Sequence, residues 1–486
     1  MVAGLEEASL LRQCPIDRAP WFRAMGPREV RGVAASLCAP VRRRDARLVL
    51  SSPFARQLGV EVSSLAEQGI DEEEDPYEIL MTGRRSECRS LAVCYGGHQF
   101  GQWAGQLGDG RAVTLGEIGG FEVGLKGSGP TQYSRGGDGL AAFRSCAREF
   151  LGSEYLAAIG VPTTRALGLW SLGETTVWRS MPDASGEARQ ERAGMISRAA
   201  RSLALRFGTF ELAARRGDVR LLESLVEHAG AAAPELAVGA AVATGRLVAL
   251  WEAFGFVHGV LNTDNLMIFG HTVDLGPFGF VERYDPDFSP NLSDREGRYR
   301  LSRQVDAAAW AVSRLADALA VFGASRADCE DAFRDAYAAE RRRLWCGKLA
   351  LEVSVENERF ADQKVLRGHD FTTFFADLAW GAADEFDDPW FRRWAARRRN
   401  FELADPAAAR AALLRARTEL NPRFALRNAA IHGAVEDYLA TGEPATLREL
   451  HRGVLNPFAD DVARLAHLNT PPPANAPPQR GVSILT

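Results

Sequence analysis

The residues best suited to chemistry lie between His258 and Phe280, in the stretch HGVLNTDNLMIFGHTVDLGPFGF. Asp264 and Asn265 stand side by side, and Asp274, followed by Leu-Gly, comes nine residues after Asn265. Two carboxylates and an amide oxygen are hard donors. With room left for water and phosphate they suit Mg²⁺ or Mn²⁺. The plainer reading of one Asp-Asn pair is a polar turn beside a strand. What must bring the three together is the stretch between them. The apolar runs Leu266–Phe269 and Thr272–Leu275 flank Gly270-His271, a pattern that predicts a tight hairpin with converging ends.

The order His-Gly, Asp-Asn, Asp-Leu-Gly follows the layout of protein kinases, where a catalytic loop ends in a metal-binding Asn and an Asp-x-Gly supplies a second ligand. Such a site needs an upstream cation for phosphate. The basic residues are almost all Arg; the lysines are Lys126, Lys348 and Lys364. Lys126 alone has a glycine-rich setting, within Tyr95–Gly139. The runs Ala112–Ile118 and Phe121–Lys126, separated by Gly119-Gly120, predict a hairpin. Gly108-Asp109-Gly110-Arg111 precedes it and Lys126-Gly127-Ser128-Gly129 closes it. Glycines let backbone N–H groups approach phosphate, while Arg111 and Lys126 supply charge. Gly-x-Gly is also an ordinary turn signal, and GxxxxGK[ST] is absent, which argues against a P-loop fold.

Leu140 to Ile159 reads as a helix ended by Gly160 and Pro162, with Phe143, Cys146 and Phe150 on its apolar side. Glu149, 23 residues after Lys126, is expected to pair with it, as a helix Glu positions the strand Lys of kinases; a solvated helix Glu is the alternative. Asp138, in Gly-Gly-Asp-Gly, is either a helix cap or a nucleotide contact. Residues 163–181 read as further strands. From about 190 the pattern turns helical, placing Arg198, Arg201 and Arg206 near Phe207-Gly208. Residues 219–229, 238–256, 303–348 and most of 370–468 read as helices.

At 486 residues the chain exceeds one small domain. A net charge of −5 argues against general nucleic-acid or anionic-membrane binding. Arg clusters such as Arg341–Arg343 read as solvated helix faces. No apolar run reads as long enough to span a bilayer, and the N-terminus lacks a signal pattern. Seven scattered cysteines without CxxC fit reduced thiols in a cytoplasm.

Taken together, YGGHQFGQWAGQLGDGRA, LKGSGPTQYSRGGDGLAAFRSCAREFL, LRFGTFE, HGVLNTDNL, DLGPFGF and NPRFALRN resemble the selenoprotein O family, kinase-like proteins that transfer AMP to protein hydroxyls. The resemblance runs from about 95 to 430. It implies a protein-kinase-like bilobal α+β fold with a mainly helical C-terminal lobe and extension, and a nucleotide inverted so that the α-phosphate faces the acceptor. It places Asp264 as the base and Asn265 and Asp274 as metal ligands. Lys126, Gly108, Gly110, Arg111, Asp138 and Gly139 match nucleotide contacts, and Glu149 the Lys partner. His-Gly-Val has no Asp where a kinase loop carries its base. The family spaces two phosphate-binding arginines seven apart, ending at Arg-Phe-Gly; here Arg206 fits, its partner would be Ala199, and Arg198 lies one residue off, with Arg201 a weaker substitute. No Cys follows Cys346, so control by a C-terminal thiol is not expected.

The sequence therefore predicts an ATP- and divalent-metal-dependent protein adenylyltransferase acting on Ser, Thr or Tyr hydroxyls, cytoplasmic and without nucleic-acid or membrane partners. A γ-phosphoryl kinase and a non-catalytic nucleotide-binding scaffold are the alternatives. Its expected division is a lead-in over 1–90, a β-rich lobe over 91–185, a helical lobe and extension over 186–468, and a flexible tail over 469–486.

Overall fold

The computed structural model describes residues 35–38, 46–58, 90–118, 120–180, 188–360, 366, 369–381, 389–460 and 465–473. Most of the expected lead-in, with its acidic run Asp71–Asp75, and the tail after residue 473 lie outside the described residues.

The first half is organised on one eight-stranded sheet whose paired strands all run antiparallel. Its strands are β1 (Ala35–Cys38), β2 (Arg47–Ser51) and β3 (Ser90–Val93), then, after the separate pair β4 (Gly96–Gln99) and β5 (Gln102–Gln106), β6 (Ala112–Ile118), β7 (Phe121–Lys126), β8 (Ala141–Ala142), β9 (Arg165–Ser180) and β10 (Ala188–Ala200). The path is β1-β3-β6-β7-β10-β9-β2, with β8 beside β10. The predicted β6–β7 hairpin is present, with a register shift between Thr114 and Gly116. Two strands come from the stretch read as a lead-in: β1 pairs with β3, and β2 with β9.

Two readings are corrected here. Residues 188–200 form a strand, not the start of the helical region. Its inner half, Ala193–Ala200, is buried throughout, so small and apolar residues broken only by the adjacent Ser197-Arg198 imitate a buried helix. The expected Leu266–Leu275 hairpin is reduced to the single bridge Leu266–Thr272. Its backbone pairs outward instead, Leu266 O accepting from Phe207 N and Thr272 N donating to Pro162 O, both at 2.9 Å.

Past β10 the chain is mainly helical. The Phe143–Ala158 helix packs against β9 and β10 and shares the main core with the helices that follow. Ala233–Ala253 is long and apolar enough to cross a membrane by length and composition, at mean hydropathy 1.4, against the expectation that no stretch is. An 18-residue window of it is 61% buried inside the fold, and the helix packs along Arg326–Lys348. Arg341 and Arg342, expected on a solvated face, pair with Glu252 and Glu358 at 2.7–3.3 Å.

Candidate active site

Strand alternation sets the site. Along β7, Val123 and Leu125 enter a core with Phe54 and Trp170, so Gly124 and Lys126 face the other way. There the Lys126 ammonium donates to Glu149 Oε2 and to Asp274 Oδ1, each at 2.6 Å. Lys126 and Glu149 are 7% and 4% exposed, so this contact is shielded from solvent. The other Glu149 oxygen takes Arg198 Nη1 at 3.3 Å. Arg198 lies opposite Gly124 in the β7–β10 register, on the same face as Lys126. Arg198 and Arg206 are eight residues apart, joined by the irregular stretch 201–205. Arg201 instead stacks over Phe269 at 4.1 Å, so Arg198 and not Arg201 joins Glu149.

Asp274 holds φ +58, the left-handed region uncommon for residues with a β-carbon. Burial raises its carboxyl pKa, but Lys126, with Arg111 and Arg206, outweighs this and holds it well below the usual carboxylate range. Asp264 and Asn265 sit on the 3-10 turn Thr263–Asn265. Asn265 Nδ2 donates to Val260 O at 3.1 Å. Asp264 Oδ2 accepts from Gln99 Nε2 at 3.3 Å, while its buried Oδ1 has no partner among the described residues. Burial pushes the Asp264 carboxyl up to about 7, with Arg206 pulling against it. Among the described residues no three His, Cys, Asp or Glu side chains form a metal cluster. The orphaned Asp264 oxygen and the neighbouring Asn265 and Asp274 oxygens fit a hard divalent cation that completes its shell with phosphate and water.

Arg206 ties the turn to the first glycine-rich loop. Its Nη1 donates to Asp264 O at 2.9 Å, its Nη2 lies 3.5 Å from Asp109 Oδ1, and its guanidinium covers the Tyr95 ring at 4.5 Å. Asp109 lies between Gly108 and Gly110. Arg111 O accepts from Gly127 N at 2.7 Å, and Gly139 O from Gly129 N at 3.1 Å, so the glycine-rich loops are closed on one another. Asp138 does not cap the helix, which begins at Phe143 behind Ala142. It is exposed, accepts from Leu140 N at 2.9 Å and pairs with Arg179 at 3.1 Å.

The functional reading of the sequence left His98, Gln99, Glu211 and Thr263 unassigned. His98 Nδ1 and Glu211 Oε1 are 2.7 Å apart; Thr263 donates to the other Glu211 oxygen and accepts from His98 N at 2.7 Å. Burial raises Glu211 to about 7, with the Thr263 hydrogen bond opposing. Their signal in the sequence is the polar pair His98-Gln99 inside Gly-Gly-His-Gln-Phe-Gly. Those glycines form a seam. A β-carbon at Gly97 would sit 2.7 Å from Asp264 Oδ1, and one at Gly208 would fall inside the Gly96 carbonyl.

A Lys126 ammonium shared by buried Glu149 and half-buried Asp274, beside an Asp-Asn turn, suits an enzyme that handles phosphate, and comparison makes the class specific: the chain is a protein nucleotidyltransferase. It belongs to the family Protein adenylyltransferase SelO, whose model matches residues 55–453. It is 40% identical over 421 residues to Protein nucleotidyltransferase YdiU of Xanthomonas euvesicatoria pv. vesicatoria (strain 85-10), covering 77% of this chain and 79% of that relative. The protein of the same description from Xanthomonas oryzae pv. oryzae (strain MAFF 311018) is 40% identical over 425 residues, covering 77% and 80%.

Proposed function

We propose that this chain moves AMP from ATP onto Ser, Thr or Tyr hydroxyls of protein substrates in the cytoplasm, with Mg²⁺ or Mn²⁺ held by Asn265 and Asp274. The observation that carries this reading is the Lys126 ammonium, 2.6 Å from both Glu149 and Asp274, beside a turn whose Asp264 has one buried oxygen with no partner among the described residues. The division follows a kinase-like pair of lobes: the sheet with Lys126 and Glu149 in one, the Asp264 turn and the helices in the other, the boundary falling after β10.

In this reading Lys126, Arg198 and Arg206 neutralise phosphate charge. Gly108, Gly110, Arg111, Asp138 and Gly139 border the nucleotide, and Glu149 positions Lys126. The cation, when bound, supplies further charge neutralisation. Asp264 takes the proton of the acceptor hydroxyl. That oxygen bonds to the α-phosphorus, the bond from the α-phosphorus to its β-bridging oxygen breaks, and pyrophosphate leaves. Val260 supports α- over γ-transfer: where a kinase loop would carry its base, this chain has a fully buried aliphatic side chain.

The test is the fate of label. Protein incubated with a protein acceptor, metal and ATP is expected to transfer label from the α-phosphate and none from the γ-phosphate, and Asp264→Ala to remove it with nucleotide binding less affected. Label from the γ-phosphate alone would make the enzyme a kinase; none from either would make it a scaffold.

A further inference from the structure

On the far side of the helix that carries Glu149 lies a cavity of about 620 Å³, between the Phe143–Ala158 helix, the start of β10 and the helix Asn428–Thr441. Its most unusual wall is Arg148. The guanidinium donates to Phe278 O at 2.7 Å and to Asn428 Oδ1 at 3.1 Å, both uncharged acceptors, and lies 4.9 Å from the Phe278 ring. Its Nε is buried with no partner among the described residues. No carboxylate among the described residues meets it, whereas Arg144, one turn earlier, is held by both oxygens of Glu191 at 2.5 and 3.1 Å. A cation removed from water without a counter-charge is costly, and burial together with Arg144 lowers the Arg148 pKa to about 10.

Other features of the cavity favour the same kind of occupant. Arg189 and Arg192 stand exposed at its rim, Arg192 within 3.3 Å of the solvent-exposed Glu174 carboxylate. The helix Asn428–Thr441 opens on it with no cap from the Arg427 side chain, its Asn428 N–H being taken by the Glu282 carboxylate. Ile431, Val435 and Leu439 give it an apolar wall. Its two carboxylates do not reverse the sign, since Glu191 is taken by Arg144 and Glu436 lies 4.0 Å from His432.

We infer that this cavity binds a small organic anion, a phosphate or carboxylate head on Arg148 with an apolar body against Ile431 and Val435. The site is separate from the nucleotide site yet one residue from it in sequence, because Arg148 precedes Glu149 and touches the carbonyl of Phe278 in the Asp-Leu-Gly-Pro-Phe segment. The inference does not depend on which phosphate of ATP is transferred.

The test is a calorimetric titration of the full chain with phenyl phosphate, after saturation with Mg²⁺ and a non-hydrolysable ATP analogue so that the nucleotide site is filled. One site is expected, with inorganic phosphate at least tenfold weaker and phenol silent. Arg148→Met is expected to weaken binding tenfold or more, and the rim variant Arg189→Gln/Arg192→Gln to weaken it several-fold. If Arg148→Met does not fold, the rim variant decides, because both of its positions are exposed. Absent binding, binding no tighter than that of inorganic phosphate, or affinity unchanged in whichever variants fold overturns the inference.

Discussion

Asp274 Oδ1 lies 2.6 Å from the Lys126 ammonium although the two residues are 148 positions apart. One contact thus joins the sheet to the segment after the Asp264 turn, and the cation that Glu149 positions also neutralises the carboxylate proposed to hold metal. Lys126→Ala is expected to lower AMP transfer by a hundredfold or more. Lys126→Arg is also impaired, because a planar guanidinium cannot occupy the place of a point ammonium between two carboxylates; Lys364→Ala is neutral. Rates of α-label incorporation decide, and full activity in Lys126→Arg would count against a specific role for the ammonium.

Arg198 and Arg201 separate a buried ion pair from a surface stack. Arg198→Ala removes one of two cations on Glu149 and is expected to weaken ATP binding and transfer tenfold or more. Arg201→Ala removes only the contact with Phe269 and changes transfer by less than twofold. The reverse ranking, measured by titration and initial rates, would mean that the other arginine serves phosphate.

Gln99 gives Asp264 its side-chain hydrogen bond, and His98 with Glu211 fixes the neighbouring Thr263. Gln99→Ala is expected to lower kcat about tenfold while leaving KM for ATP nearly unchanged, since the amide touches the proposed base and not the nucleotide. A KM effect alone would place Gln99 in nucleotide binding instead.

Lys348 lies far along the sequence from this chemistry and offers a test of stability. It is 2% exposed, donates to Leu420 O at 2.8 Å and lies 4.4 Å from the centre of the Phe375 ring. Burial lowers its pKa from 10.5 to about 7. Between those values the unfolded chain holds the proton and the folded chain does not, so this group makes stability rise with pH across that window, by at most about 1.4 kcal/mol per unit. Below pH 7 both states are protonated and its contribution is flat. Thermal melts at pH 6.5, 8 and 9.5 are expected to show a smaller rise for Lys348→Met than for the parent. Parallel profiles would show that Lys348 keeps its proton.

What could be read from the sequence was what is local. The β6–β7 hairpin announced itself through alternation and a Gly-Gly turn, and the Lys126–Glu149 contact followed from a strand and a helix each recognisable alone. The β10 strand reads as helix because its buried half, AGMISRAA, has its two polar residues side by side and shows no alternation with a period of two. The Leu266–Leu275 segment was misread because its backbone partners, Phe207 and Pro162, are distant in sequence, and no turn rule reports them. Gln99 is hidden for a related reason: its partner Asp264 is 165 residues away.

The seam of Gly96, Gly97 and Gly208 against Asp264 has a mechanical meaning. Gly208 rests on the Gly96 carbonyl, backbone on backbone, and Gly97 rests on the Asp264 side chain, so at the first of these contacts no rotamer can swing aside and the gap is of fixed gauge. This edge behaves as an anvil: the Asp264 carboxylate is presented from a surface that does not yield, and whatever motion admits a bulky protein acceptor belongs to the opposite rim. Adding a single methyl group here would not trim the fit by degrees; it would wedge the two halves of the site apart.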